Sequence, residues 1–179
     1  MNHIGAIGLA GLMLAGIVAM TAPAAALDIR AQSSKDLHQF EHMPNKEVSK
    51  FFAGRTFLFK SQELNGGVRA VLPISGVAIL YMAPNGTLLG WSDKSGNVEA
   101  GVWRVNNTNG NDLYFNNQLC FGFPEGGRGQ ACSRFGTNIN YFPESTAGNP
   151  FGLKGESAAP FDLGRFGVSL KSVAKKLGL

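Results

Sequence analysis

Asn85-Gly86 stands between two apolar runs, Val77–Met82 and Thr87–Trp91. Both residues accept the positive φ that a type I′ turn requires, so the pair predicts a tight hairpin. A connection that short joins antiparallel strands only, and it commits the middle of the chain to antiparallel β structure.

The neighbouring sequence extends the pattern. Phe57 and Phe59 alternate with Thr56, Leu58 and Lys60, the two-residue repeat of a strand buried on at least one face. Val68–Leu72 and Gly76–Met82 are rich in β-formers, with Pro73 marking a bulge, bend or edge. Lys94-Ser95-Gly96-Asn97 predicts a second turn into Val98–Val105. Asn106–Asp112 is a polar loop, and further strands are expected at Leu113–Phe123, Gln130–Phe135 and Asn138–Phe142. Six to eight strands with short connections imply a meander over 55–142, a small antiparallel β-barrel or half-barrel. The abundance of Gly (24) and Phe (13) suits short strands and many turns better than a helical bundle.

Helical pattern is confined to the flanks. Pro44 suits the first position of a short helix running to Phe52, with Gly54 as its stop, and it completes an N-terminal arm over 27–54. From Pro143 to Gly164 no period is visible, which predicts an irregular wrap. Phe166, Leu170, Val173 and Leu177 then fall on one helical face, with Lys171, Lys175 and Lys176 off that stripe and Gly178 as a stop.

Residues 1–26 carry no Lys, Arg, Asp or Glu. An apolar run from Ile4 to Ala19 is followed by Pro23 and then Ala24-Ala25-Ala26, so a signal peptide cleaved before Leu27 is expected. An uncleaved anchor is the alternative, because the leader is long enough to span a bilayer. Export would take the protein to the periplasm or outside the cell. There the two cysteines, Cys120 and Cys132, are expected to form one disulfide, worth about 3 kcal/mol by loop entropy.

The net charge of +4 is unevenly placed. Every acidic residue lies at or before Asp162, and the excess comes from Arg165, Lys171, Lys175 and Lys176. A neutral body argues against nucleic acid as a partner. The basic, amphipathic tail, comprising Phe166, Leu170, Lys171, Val173, Lys175, Lys176 and Leu177, suits a membrane surface or an acidic envelope protein, or it caps the barrel itself.

Motifs for chemistry are sparse. His38-Gln39-Phe40-Glu41-His42 matches the H-x-x-E-H spacing of inverted zinc peptidases, with His38 and His42 as metal ligands and Glu41 as base. Pro44 follows too closely for a helix to carry it comfortably. Gly126, Gly127 and Arg128 compose an anion nest or a plain hairpin tip. Trp91, Trp103, Tyr114, Phe121 and Phe123 either line a cavity for a small apolar ligand or fill the barrel themselves. There is no nucleophile elbow, P-loop or dinucleotide fingerprint, and no cofactor is expected.

The segments Ala53-Gly54-Arg55-Thr56, Tyr81-Met82-Ala83-Pro84-Asn85-Gly86-Thr87 and Gly101-Val102-Trp103, with the Cys120…Cys132 pair, resemble a family of small exported bacterial proteins of unknown function. The resemblance covers roughly half of the chain beyond the leader. It implies a periplasmic or secreted lipocalin-like β domain and supplies no activity. The expected function is accordingly a non-enzymatic binding or interaction protein of the cell envelope. A lipocalin-like carrier of an apolar ligand stands second, and a zinc-dependent hydrolase using His38, Glu41 and His42 third.

Overall fold

In a computed structural model, the structure describes residues 27–32, 37–60, 77–92, 96–107, 117–123, 130–135, 142–155, 157 and 168–179. Phe57, Leu58 and Phe59 are all fully buried, so the strand that carries them has core on both sides. This is β2 (Arg55–Lys60), one of eight antiparallel strands among the described residues. The others are β1 (Ile29–Ala31), β3 (Val77–Met82), β4 (Thr87–Ser92), β5 (Val98–Asn107), β6 (Asn117–Gly122), β7 (Gln130–Arg134) and β8 (Glu144–Ala147). Their order in the sheet is β1-β8-β2-β3-β4-β5-β6-β7. The stretch from β2 to β7 is a plain meander, although residues 61–76 make the connection from β2 to β3 a long one. The chain then crosses to the far side, where β8 pairs with both β2 and β1.

The sheet curls into a half-barrel. The Phe59 ring on β2 lies 5.6 Å from the Phe121 ring on β6, four strands away. A flat sheet would hold those strands about 19 Å apart. Phe142, on the crossing between β7 and β8, packs 5.6 Å from both Phe57 and Phe59 and 6.1 Å from Phe121.

Alternation along the strands divides the core into two layers. Phe57, Phe59, Leu80, Met82, Leu88, Trp103, Leu119 and Phe121 face the concave side. The concave side is closed by a 3₁₀ turn (Gln39–His42) and the helix α1 (Asn45–Phe52), which contribute Phe40, Val48 and Phe52. Leu58, Ile79, Trp91 and Val98 face the convex side, where they meet Phe151, Leu153 and the helix α2 (Leu170–Leu177).

Several local expectations are corrected. The hairpin between β3 and β4 is not a two-residue turn. Gly86 N–H donates to the Ala83 carbonyl (3.0 Å) and Ala83 N–H to the Thr87 carbonyl (2.8 Å), leaving Pro84-Asn85-Gly86 as a three-residue loop. Pro84 presets the first turn position and Gly86, at φ 86°, closes the loop in the left-handed region. Strand β5 runs on to Asn107, through part of the expected polar loop. Glu144–Ala147, read as irregular, is β8, and its register (Phe57 opposite Ser145, Arg30 opposite Ser145) shows why. Four residues without alternation become a strand because two other strands complete their hydrogen bonds. The proposed strand segments at Val68–Leu72 and Asn138–Tyr141 lie outside the described residues.

Candidate functional site

The segment α2 would be a poor helix alone, since eight residues are too few to hold helical structure in water. It is fixed at both ends and along one side. Ser169 Oγ accepts the Ser172 N–H while Ser172 Oγ accepts the Ser169 N–H, each at 3.0 Å, forming a reciprocal capping box. Glu144 Oε2, reaching over from β8, accepts the Leu170 N–H at 2.7 Å and places negative charge at the helix start. Gly178, at φ 71°, ends the helix, and Leu179 N–H returns to the Ala174 carbonyl. The helix therefore begins at Leu170, behind an extended Ser169. Phe166 itself lies outside the described residues.

Leu170, Val173 and Ala174 are buried against Leu58, Ile79 and Trp91, with Leu177 packed beside them. The apolar stripe of the tail is thus core of the convex side. Lys171, Lys175 and Lys176 are exposed, and Lys154 is exposed next to the buried Leu153. What the tail offers to solvent is a row of primary amines without its apolar stripe. The two rear lysines also lie in the last helical turn, where the helix dipole favours positive charge.

The aromatic residues proposed as a cavity lining do not gather on one face. Trp103, Phe121 and Phe123 are concave and Trp91 is convex, while Tyr114 lies outside the described residues. Rings pack the concave side: Phe40 lies 4.6 Å from Phe51, Phe52 lies 5.1 Å from Phe57, and Phe135 stacks on Phe52 at 5.5 Å. Trp103 does more than pack. Its Nε1–H donates to the Ala83 carbonyl (2.8 Å) and its backbone N–H to the Gly86 carbonyl (2.9 Å), so it anchors the β3–β4 loop from β5. The glycine two residues earlier has a matching reason. A Cβ on Gly101 would stand 2.1 Å from the Gly122 carbonyl oxygen and 2.8 Å from the Phe123 ring.

The H-x-x-E-H segment is not a continuous helix. Its last four residues form the 3₁₀ turn, after which Met43 is extended. His38 and His42 are exposed, and among the described residues no three of His, Cys, Asp and Glu gather to hold a metal. Instead the segment is anchored by Asn117 Nδ2, which donates to the carbonyls of Phe40 and Met43, both at 2.6 Å. Sequence reading missed this buried Asn117, whose only signal was a polar residue inside an expected strand. Gly126, Gly127 and Arg128 lie outside the described residues. Cys120 and Cys132 are joined in a disulfide and stand directly opposite each other across β6 and β7.

These features define a mainly antiparallel β half-barrel with a core cluster on each sheet face and a capped basic helix on the convex side. Comparison with protein-family models, curated proteins and solved structures found no match to the chain.

Proposed function

We propose that the protein is an exported, non-enzymatic binding protein of the cell envelope that uses the lysine face of α2 to hold an acidic protein partner. The observation that carries this reading is the division of labour within α2. Its apolar side is spent on the protein's own convex core, and Lys171 and Lys175 are left pointing outward. A lipid surface is the weaker candidate. With no apolar stripe to insert, a few lysines contribute only about 1 kcal/mol each at an anionic leaflet. A carrier role draws little support from a concave side already crowded with phenylalanine rings. Export is consistent with the disulfide and with a sheet whose first strand begins at Ile29, so that cutting before Leu27 spares it. The resemblance to small exported lipocalin-like proteins points to the same compartment.

The test is charge reversal. A K171E/K175E variant should fold normally and lose a salt-sensitive, acidic partner that the unmodified protein captures from the envelope fraction. Retention of that partner by the variant, or capture only on anionic vesicles, would remove the proposal. Cell fractionation with sequencing of the mature N-terminus checks the export step. A cytosolic protein that still starts at Met1 would contradict it.

A further inference from the structure

The convex side is covered unevenly. Over β2, β3 and β4 it lies beneath α2 and the 149–155 segment, whereas on β5 Ala100, Val102 and Arg104 are exposed, Val102 at 43%. On this side of the sheet three residues form one row across three strands. Arg104 on β5 is directly opposite Cys120 on β6, and Cys120 is directly opposite Cys132 on β7. Directly opposed residues share a face, with Cβ atoms about 5 Å apart.

The two halves of the disulfide are unequal. Cys120 is fully buried, whereas Cys132 is exposed and belongs to β7, the last strand of the sheet among the described residues. Thiol–disulfide exchange needs a thiolate to approach one sulfur and expel the other. Cys132 is open to approach from solvent. Approach to Cys120 is blocked by its burial. Attack at Cys132 also expels Cys120 as a thiolate opposite Arg104 on the same face, where a cation within reach favours the anion. The same cation attracts an incoming thiol that carries negative charge.

From this geometry we infer that the Cys120–Cys132 bond is a thiol-exchange site that takes a small anionic thiol onto Cys132, independently of the partner surface on α2. In the first step the external thiolate forms a bond to Cys132 Sγ. The electron pair of the old S–S bond leaves on Cys120 Sγ, which then takes a proton from water. One disulfide is exchanged for another and no electrons are gained or lost overall. A second external thiolate attacking the new bond would release an external disulfide and leave both cysteines reduced.

The experiment uses the oxidised full chain under native conditions, with glutathione as the anionic probe and cysteamine as the cationic one. Acid quenching, alkylation and peptide mass analysis then locate each adduct. Glutathione is expected on Cys132, with the alkyl label on Cys120, and glutathione should react faster than cysteamine once thiolate concentrations are matched. In R104Q the glutathione rate should fall about two- to fivefold, the range of one exposed charge interaction, and R104K should restore most of it. An adduct on Cys120, an even split, no adduct until denaturant is added, or an R104Q rate equal to that of the unmodified protein would each overturn the inference.

Discussion

Gly90 and Gly101 leave room for the same ring, that of Phe123, but under different constraints. A Cβ on Gly90 would meet the ring tip at 2.4 Å, and a side chain can swing away. A Cβ on Gly101 would meet the backbone carbonyl of Gly122 at 2.1 Å, and relief would require prising β5 from β6. Gly101→Ala should therefore cost about 3 kcal/mol and Gly90→Ala about half of that, read from urea unfolding. Equal costs would show that ring and backbone yield alike. Trp103→Phe keeps the apolar volume but strips the donor from the Ala83 carbonyl. A loss of about 1–2 kcal/mol is expected, with the β3–β4 loop losing amide-exchange protection first.

At the level of elements, α2 tests whether a tail is an accessory or a wall. Its buried residues close the convex core over Leu58, Ile79 and Trp91, so removal of 168–179 should destabilise the whole domain and increase binding of a hydrophobic dye. Leu170→Ala alone should cost about 2–4 kcal/mol, and Ser169→Ala about 1 kcal/mol through loss of the cap. The double reversal K171E/K175E, by contrast, should cost no more than about 1 kcal/mol, because both side chains are exposed and only Lys175 sits in the last helical turn. A truncated chain as stable as the full one would assign α2 to the surface. Strand β8 belongs to the same scale. Its Glu144 links the sheet to the start of α2, and its backbone joins β1 to β2.

For the whole molecule, the disulfide ties β7, a strand whose ladder with β6 is already complete from Gln118–Arg134 to Gly122–Gln130. A Cys120→Ser/Cys132→Ser double variant is expected to keep the fold while losing about 3 kcal/mol, seen as a lower urea midpoint with unchanged far-ultraviolet dichroism. Loss of all sheet signal would mean that the covalent link, and not the two-layer core, holds the half-barrel together.

The local decisions were legible in the amino-acid order. Asn85-Gly86 marked the central hairpin, the Phe57/Phe59 alternation marked β2, Gly54 and Gly178 marked the helix ends, and the paired cysteines marked their own bond. Each depends on φ preferences, residue period or chemistry, all properties of a few neighbours in the chain. Contacts between distant segments were settled only by folding. Trp91 and Trp103 look alike in sequence, yet the pleat and curl of the sheet send one to the convex core and the other to the concave one. Glu144–Ala147 has no strand pattern and becomes β8 because β1 and β2 offer it two sets of partners. The tail's apolar stripe suits a lipid surface or a protein core equally well, and the exposed convex side of the protein's own sheet claimed it first.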